Sequence, residues 1–364
     1  MSSSLSVLVT PKDGPPYQDL LYRYVDAAGV RVRYAVGPTR SQTLNLMLAP
    51  LVLAWWRSRG FRILHIHWVF QFSLPWAPRS SWAQHVMEWW FGLYLKTAGL
   101  LGFRIVWTAH DLLPHDPVFA NDVRARNLLL SRVAEVIALS DATAAELRAL
   151  GAGRVSVIPF GPYSDPYPVT LTREEARASF GFVVNDLVVG LIGRLEEYKG
   201  ADLLLTAVAQ LPRTSRIKVL LAGSCSDEAY QDKLGRLAGA TGGKVVTDFR
   251  WVPDVDLARY LQATDVAVFP FREITNSGSV LLAQSFGLPV IIPNLSVLSD
   301  IPDQGAIRFE SGEGSLVMAL ERVERQSATE YTAMSDAALA WSKRFDWATI
   351  ARETIATYQQ ALQD

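Results

Sequence analysis

Short apolar runs alternate with helical patterns along most of the chain, and no other feature of the sequence limits the fold so strongly. The runs are rich in Val, Ile and Leu, as expected of parallel strands that are buried on both faces. Such an alternation predicts a mostly parallel sheet with helices on both of its faces. It stops at residues 161–172, which contain three prolines, and restarts with a strand from Leu187 to Gly193. We therefore predict two doubly wound domains joined by a linker at 161–172.

Charge and tryptophan are unevenly divided between the two predicted halves of this 364-residue chain. Up to Phe160 there are 16 basic and 10 acidic residues, a net charge of +6, and eight of the eleven tryptophans, whereas the remainder carries −7. The overall net charge of −1 gives no general attraction to nucleic acid, so no nucleic-acid partner is expected. A basic, Trp-rich half suits a membrane surface or an anionic ligand. The helices around Trp55 and Trp89 are therefore either core helices or interfacial helices with rings at headgroup depth.

Neither a disulfide nor a membrane-spanning helix is expected. Cys225 is the only cysteine, which excludes an internal disulfide and fits a reducing compartment. The most apolar run, Leu44 to Trp56, is shorter than the roughly 20 residues that a spanning helix needs, and Pro50 interrupts it. The first residues also lack the basic region and the length of a signal peptide. We expect a cytoplasmic protein, with peripheral attachment to the inner face of the plasma membrane as the role of the Trp-rich helices.

The stretch from Phe271 to Pro293 reads as the end of a strand, a polar loop, a short helix and another strand. The loop residues are of the kind that cap a helix start: Thr275, Asn276, Ser277, Gly278 and Ser279. The first turn of a helix presents backbone N–H groups and the positive end of the helix dipole, which suits a phosphate. The alternative is an ordinary βαβ unit with a well-capped helix.

Two cations follow the predicted strand that ends at Gly193. Arg194 comes directly after it, and Lys199 stands just before Gly200 and a new helix. An arginine fork and a lysine point charge at the end of a strand can hold a diphosphate between them. A solvated basic pair with glutamate partners is the alternative. Because this pair and the Ser/Gly loop both fall at strand ends in one domain, we favour a diphosphate site.

His110 and Asp111 stand where another predicted strand, Arg104 to Ala109, ends. Carboxylates and imidazoles at the carboxyl end of a strand can act as general bases. We predict that Asp111 is a general base and that His110 contacts the ligand. For His115 and Asp116 we favour capping of the following helix.

A metal site is not expected. His65 and His67 lie two residues apart on one strand face, but no third ligand is evident, so a packed or acceptor-facing pair is the favoured interpretation. No H-x-x-x-H, D-x-D or cysteine cluster is placed for metal binding. The sequence also lacks the G-x-G-x-x-G pattern of dinucleotide-binding dehydrogenases.

The motif GRLEEYKG, the Ser/Gly loop and the later SFGLPV together resemble the donor-binding domain of GT-B glycosyltransferases of family 4. VIALSDATAAELRALG and VIPFG are similar to the segments that end the first domain of this family, and FDWATIARETIATY to its C-terminal helix. The resemblance implies an α/β GT-B fold with two Rossmann-like domains facing a central cleft. It implies an acceptor-binding domain at 1–165, a nucleotide-sugar-binding domain at 166–345, and a C-terminal helix at 346–364 that packs back on the first domain.

The resemblance also implies roles for individual residues. Arg194 and Lys199 would bind the donor diphosphate, and the loop residues Asn276, Ser277, Gly278 and Ser279 would surround its phosphates. Residues 249–252, with Arg250 and Val252, would lie near the nucleotide base. Glu273 would face the donor sugar or the ribose, as a third catalytic residue beside His110 and Asp111. GT-B enzymes need no metal, because cationic side chains and the helix dipole stabilise the leaving diphosphate.

The chain departs from the family pattern at two positions. The family carries two glutamates eight positions apart, and here Ile274 and Leu282 occupy those places, with Glu273 beside the first. The pattern resembles a divergent branch found among bacterial polysaccharide transferases. The sequence therefore predicts transfer of a sugar from a nucleotide-diphosphate sugar, a UDP-sugar in preference to a GDP-sugar, to a saccharide or lipid-linked saccharide. The alternatives are a nucleotide-sugar epimerase of the same fold and a non-catalytic partner subunit.

Overall fold

The computed structural model describes residues 5–12, 16–37, 39–69, 74, 76–77, 80–114, 117–163, 167–310 and 313–363. The chain divides into two compact units. Unit 1 comprises Met1–Phe160 together with Asp346–Asp364, and unit 2 comprises Gly161–Phe345. Each unit contains a six-stranded sheet in which every recorded strand pair is parallel.

The sheet of unit 1 has the strand order β2-β1-β3-β4-β5-β6. Its strands are β1 (Ser6–Thr10), β2 (Arg31–Tyr34), β3 (Ile63–Ile66), β4 (Arg104–Ala109), β5 (Val133–Ala138) and β6 (Val155–Val157). Its helices are α1 (Pro16–Ala27), α2 (Gln42–Ser58), α3 (Ser81–Leu100), α4 (Asp122–Leu130), α5 (Asp141–Ala149) and, after unit 2, α13 (Trp347–Gln363).

The sheet of unit 2 has the strand order β12-β11-β10-β7-β8-β9. Its strands are β7 (Leu187–Ile192), β8 (Ile217–Ala222), β9 (Val245–Asp248), β10 (Val266–Val268), β11 (Val290–Pro293) and β12 (Ala306–Phe309). Its helices are α6 (Arg173–Ala178), α7 (Ala201–Gln210), α8 (Glu228–Gly239), α9 (Asp254–Ala263), α10 (Gly278–Ser285), α11 (Glu313–Glu324) and α12 (Ala328–Lys343). The order reverses between β7 and β10, and doubly wound sheets bind ligands at the carboxyl ends of strands beside such a reversal.

The cores explain why the apolar runs became central strands. All five residues of β1 are buried, and β4 contributes Trp107, which is 1% exposed. Helices cover both faces of such a sheet, so a strand has no solvent-facing side and its residues need not alternate. Burying one large apolar side chain contributes about 1.5–3 kcal/mol, and each unit has dozens of them.

Two local features differ from the sequence-based expectation. Helix α6 was not expected; Thr172 and Glu175 form a capping box at its start, a pattern that the sequence carries. Strand β10 ends at Val268 instead of Phe271, because Pro270 has no N–H to donate to the ladder.

The last helix belongs to unit 1. Helix α13 packs against α1 and against β3, β4 and β5, and it buries Trp347 and Tyr358. None of the helices formed by the described residues is long and apolar enough to cross a membrane.

Candidate functional site

Lys199 and Ser279 converge on one point beside Gly193, at the strand-order reversal of unit 2. Gly193 follows β7 directly, and a Cβ atom built on it would lie 3.8 Å from Lys199 Nζ and 3.9 Å from Ser279 Oγ. The lysine comes from the turn after β7, and the serine from the first turn of α10, which follows the adjacent strand β10. The cationic turn and the Ser/Gly loop that the sequence singled out are therefore neighbours.

Two glycines allow the turns at these strand ends to approach through their backbones. Gly200 has a φ of +71°, and an added Cβ would lie 2.0 Å from the carbonyl oxygen of Pro270. Gly223 has a φ of +143°, and an added Cβ would lie 1.8 Å from the carbonyl oxygen of Gly193. Only glycine tolerates this left-handed backbone conformation together with such close contacts. The carboxyl edge of the sheet therefore leaves no room for a side chain at either position.

The surroundings of Lys199 lower the pKa of its ammonium group. Burial and, second, the positive charge of Arg194 lower the pKa of Lys199 to about 8, while Glu196 opposes them. Arg194 itself is exposed. Two cations close together in a partly dehydrated place favour an anionic ligand, because the ligand relieves their mutual repulsion.

Arg272 ties the loop after β10 to the turn after β7. Its guanidinium donates two hydrogen bonds of 2.9 Å to the carboxylate of Asp202 in the first turn of α7, and its backbone N–H donates to the carbonyl of Tyr198 at 2.8 Å. Lys233 and Tyr230 also donate to Asp202, at 2.7 and 3.1 Å. Burial raises the pKa of Asp202, but the hydrogen bonds from Arg272 and Lys233 outweigh it and lower the pKa to about 2.

The start of α10 is fixed by a cap and by an aromatic ring. The hydroxyl oxygen of Ser277 accepts the N–H of Val280 at 3.3 Å, so Ser277 is the N-cap among the cap-type residues of this loop. The ring of buried Tyr163 lies 3.7 Å from the Cβ position of Gly278, so a side chain there would press on the ring. The Tyr163 N–H donates to Ser285 Oγ at 3.3 Å. The first N–H groups of α10 have no intrahelical partner, which suits an anion.

The other predicted donor residues of unit 2 occupy different surroundings. Glu273 is exposed, and Asn276 is half-buried in the loop before α10. Arg250 donates two hydrogen bonds of 2.8 Å to Asp248, and these bonds hold the pKa of Asp248 below its usual range. Val252 packs against the apolar cluster around Phe182. Arg250 and Val252 thus lie at the carboxyl end of β9, the edge strand of the sheet.

In unit 1, His110 lies at the carboxyl end of β4 in an aromatic setting. Its ring stacks on Trp68 with 4.2 Å between centroids and an interplanar angle of 10°. Tyr17 meets it edge-on at 5.1 Å. Burial lowers the pKa of His110 to about 3, so the ring is neutral at physiological pH. It can donate or accept a hydrogen bond there, but it carries no charge.

A buried row of hydrogen bonds leads to His110. Tyr22 Oη lies 2.8 Å from His65 Nδ1 and 2.6 Å from His67 Nε2, and His67 Nδ1 lies 3.1 Å from His110 Nε2. Tyr358 Oη lies 2.7 Å from His65 Nδ1. If the Tyr22 hydroxyl donates to His67, then His67 donates to His110 and the proton of neutral His110 is on Nδ1; the opposite direction places it on Nε2. Tyr22 and His67 therefore set the tautomer of His110.

The other residues that the sequence singled out in unit 1 are Asp111, the pair His65 and His67, and the pair His115 and Asp116. Asp111 is half-buried and follows His110 directly. His65 and His67 are a packed pair: burial, with a smaller contribution from His110, lowers the pKa of His65 to about 3. His115 and Asp116 lie outside the described residues. No group of three His, Cys, Asp or Glu side chains that could hold a metal is found within the described ranges.

Sequence reasoning missed the residues that position the site rather than form it. In the sequence, Arg272 is a basic residue after a strand and Asp202 is an acidic residue in the first turn of a helix. No sequence pattern indicates that these two side chains form a pair. Tyr22 and Tyr358 carried no signal at all, because each is an aromatic residue at ordinary helical spacing. Their polar contacts arise only when α1 and α13 pack on the sheet.

Two family models match the chain. One described as "Glycosyl transferase 4-like domain" matches residues 5–161, and one described as "Glycosyl transferases group 1" matches residues 172–338. A curated relative, the D-inositol 3-phosphate glycosyltransferase of Mycobacterium leprae, is 29% identical over 201 residues, which are 53% of this chain and 46% of that protein. The chain thus spans about half the length of the curated relatives it matches.

Solved structures share the fold over nearly the whole chain. Sucrose-phosphate synthase from Thermosynechococcus elongatus superimposes with a TM-score of 0.77 at 19% identity and covers 99% of both chains. HepE from Anabaena, solved in complex with UDP and glucose, superimposes with a TM-score of 0.71 at 18% identity and covers 98% of this chain and 99% of its own. At this level of identity the likeness shows the fold.

Proposed function

Since this chain belongs to the GT-B glycosyltransferases, with a 4-like domain followed by a group 1 domain, we propose that it transfers a sugar from a nucleotide-diphosphate sugar to a saccharide or lipid-linked saccharide. The observation that carries the proposal is the convergence of Lys199 Nζ and Ser279 Oγ beside Gly193. Positive charge, a hydroxyl and helix N–H groups meet there at a strand-order reversal, as recognition of a diphosphate requires.

In the proposed reaction, unit 2 stabilises the leaving group. When the bond between the anomeric carbon and the diphosphate breaks, negative charge grows on the diphosphate. Lys199, Arg194 and the first turn of α10 place positive charge and N–H groups where it grows, and their positions are fixed before the reaction. Arg272 acts on them indirectly, because it holds the loop before α10 against the turn that carries Lys199.

Unit 1 supplies the groups for the acceptor in this proposal. Asp111 takes the proton of the acceptor hydroxyl, and His110 contacts the donor sugar as a neutral hydrogen-bonding group. Glu273 faces the sugar or the ribose. We further propose that Arg250 and Val252 lie near the nucleotide base and that the base is uracil. The fold relative HepE, which was solved with UDP and with UDP-glucose, supports that choice.

The Trp-rich part of unit 1 supports a site of action at a membrane. Trp55, Trp82 and Trp89 are about half or more exposed, which is unusual for core residues. Exposed tryptophans beside arginines favour peripheral attachment to an anionic bilayer, where a lipid-linked acceptor would be found. We propose attachment at the inner face of the plasma membrane.

Nucleotide binding tests the diphosphate site. Lys199→Ala should weaken binding of UDP in calorimetry by at least tenfold, because it removes a partly buried cation from the phosphates. Lys343→Ala, which removes an exposed cation from α12 in the same unit, is the matched control and should change affinity less than twofold. Equal affinities in the two variants would refute the assignment.

A non-catalytic partner subunit is the second candidate, favoured by Ile274 and Leu282 at the two glutamate positions of the family. The two candidates differ in turnover. A transferase releases nucleotide diphosphate from its donor sugar, at least slowly to water, and Asp111→Asn should lower transfer to an acceptor by a hundredfold or more. Nucleotide binding without release from any UDP- or GDP-sugar would favour the subunit instead.

A further inference from the structure

A cavity in unit 1 is lined by four arginines and by no acidic residue. It has a volume of about 460 Å³. Its arginines are Arg57, Arg62, Arg104 and Arg132, and its other lining residues are glycine, alanine and apolar side chains. Guanidinium groups recognise phosphate and carboxylate oxygens by paired N–H donors, so four of them around one cavity specify an anion.

The arginines come from separate segments and are not neutralised. Arg57 lies near the end of α2, Arg62 just before β3, Arg104 at the start of β4, and Arg132 just before β5. The Nε of Arg57 donates to the carbonyl of Leu101 at 2.7 Å, which orients that guanidinium. Within the described part of the chain, none of the four forms an ion pair with a carboxylate. Four like charges held together without counter-charge favour an anionic ligand.

The cavity is distinct from the proposed transfer site. It lies at the amino ends of β4 and β5, whereas His110 follows the carboxyl end of β4. A strand of six residues spans about 20 Å. A donor diphosphate or an acceptor hydroxyl engaged at His110 therefore does not reach these arginines.

The two helices that end beside the cavity each carry an exposed apolar stripe. On α2 the stripe consists of Leu44, Met47, Leu51 and Trp55, and on α3 of Trp82, Val86, Trp89 and Leu100. Successive members are three or four residues apart, and Leu100 follows Trp89 by eleven, close to three full turns, so each set lies on one helix face. Leu51 and Trp89 are each 67% exposed, which core packing does not explain.

The stripes run between the two edges of the sheet. Helices α2 and α3 are linked by a hydrogen bond of 2.9 Å from Trp90 Nε1 to the carbonyl of Leu46. Each begins after the carboxyl edge and ends at the amino edge, beside the arginines. At 1.5 Å per residue they extend over about 25 and 30 Å. Apolar rings flanked by arginines are the composition of a helix that lies in the headgroup region of an anionic bilayer.

We propose that the cavity formed by Arg57, Arg62, Arg104 and Arg132 binds the phosphate of an anionic lipid headgroup while the stripes of α2 and α3 lie on the bilayer. The inference rests on the proposed function in one respect, the membrane as the place of the acceptor. The headgroup fixes unit 1 at its amino edge, and the helices extend along the bilayer toward the edge that carries His110 and Asp111. The site is thus an anchor that orients the protein and takes no part in the reaction.

Vesicle binding of a double variant tests the proposal. Arg62→Ala with Arg132→Ala removes two exposed cavity arginines whose side chains make no recorded hydrogen bond, so folding should be retained. We expect this variant to bind vesicles containing phosphatidylglycerol about 30-fold more weakly in a flotation assay, since each arginine at an anionic surface contributes roughly fivefold. The matched control, Arg23→Ala with Arg40→Ala, removes two exposed charges from the same unit outside the cavity and should lose less than threefold.

Further measurements distinguish a lipid phosphate from a soluble phosphate, and the lipid site from the proposed diphosphate site. Vesicles of phosphatidylcholine alone should bind weakly, and Trp89→Ser should weaken binding to both kinds of vesicle. If inorganic phosphate raises the Tm of the wild type but not of the double variant, while anionic vesicles do not bind, the site is for a soluble phosphate and the lipid proposal is wrong. A dimer that Trp89→Ser abolishes, again without vesicle binding, would assign the stripes to contact with a second copy and would also contradict the lipid proposal.

The lipid site and the diphosphate site can be tested separately. The double variant should keep its affinity for UDP, and Lys199→Ala should keep its affinity for vesicles, so that either proposal can fail without the other.

Discussion

Three histidines of unit 1 are buried side by side. The Tyr22 hydroxyl bonds to His65 and His67, and His67 bonds directly to His110. Burial lowers the pKa of all three histidines. Because the folded state holds them neutral, none can serve as a cation at neutral pH. The direction of the hydrogen bonds in this row determines which ring nitrogen of His110 carries the proton. At many sites the hydrogen-bond partner of a histidine sets its tautomer in the same way.

These histidines predict a loss of stability in acid. The pKa of His65 is about 3 in the fold and about 6.5 when unfolded, so between these values the unfolded state binds more protons and the free energy of unfolding falls as the pH falls. At pH 5 the loss from His65 is about 2 kcal/mol relative to pH 7. Urea unfolding followed by tryptophan fluorescence at both pH values measures it.

The matched variants are His65→Asn and His85→Asn. His85 is exposed on α3, so its replacement should leave the difference between pH 7 and pH 5 unchanged. His65→Asn should reduce that difference by about 2 kcal/mol, although it also lowers stability at pH 7 by leaving Thr108 and Tyr358 with poorer partners. A difference that is the same in both variants would contradict the assignment.

Lys199 predicts a pH dependence of nucleotide binding. Its pKa of about 8 in the free protein means that it is charged at pH 7 and mostly neutral at pH 9. Since a diphosphate binds the charged form, UDP affinity should fall about tenfold from pH 7 to pH 9, with proton uptake near pH 8. Calorimetry in buffers with different ionisation enthalpies measures both quantities.

Lys199→Arg is the control for this prediction. A guanidinium stays charged at pH 9, so the affinity of this variant should be almost constant over the range. A tenfold fall in Lys199→Arg as well would attribute the pH dependence to another group.

At the scale of elements, the two turns that form the candidate diphosphate site are joined by a backbone hydrogen bond from Arg272 to Tyr198 and by an ion pair whose carboxylate, Asp202, is buried. Arg272 follows β10, Asp202 opens α7, and the two side chains meet across the strand-order reversal. The loop before α10 is thus positioned relative to Lys199 by groups that touch no ligand themselves.

Removing one side of this pair should be costly. Arg272→Ala leaves the Asp202 carboxylate, 8% exposed, with Lys233 and Tyr230 alone, and should lower the free energy of unfolding by about 2–3 kcal/mol. UDP affinity should fall as well, because the loop is no longer tied to the turn. Arg325→Ala is the control: it breaks an exposed pair with Glu321 on α11, and should cost at most about 0.5 kcal/mol without changing UDP affinity. If Arg272→Ala lowers stability but not affinity, the pair supports the fold alone.

The sequence predicted helices and strands well where apolar periodicity and glycine or proline boundaries were clear. It predicted less well the features that depend on three-dimensional packing. The strand from Arg104 to Ala109 was predicted with its observed bounds, and a helix was predicted directly after Gly200, where α7 begins, because apolar patterns and a preceding glycine mark both starts. Helix α6 was missed although its capping box is visible in TREEA, because it has only six residues. The Arg272–Asp202 pair was not predictable, since helix and strand patterns say nothing about which side chains meet across a sheet.

At the scale of the whole molecule, the two units share an architecture but differ in topology and charge. Unit 2 has the strand order of a dinucleotide-binding sheet, and unit 1 reverses its order between β1 and β3, beside the histidines. The family resemblance in the sequence predicted the GT-B fold, which the fold relatives confirm. The proposal that unit 1 lies on a bilayer depends on the exposure of its tryptophans, which composition alone does not reveal.

Helix α13 belongs to unit 1 although it follows unit 2 in the chain, and its Tyr358 reaches His65 in the middle of the first sheet. A ribosome delivers residues in order, so the first domain to emerge is the last to be completed. Until α13 has emerged, the parts of β3, β4 and β5 that it covers stay exposed, and exposed apolar surface of this kind is what chaperones bind.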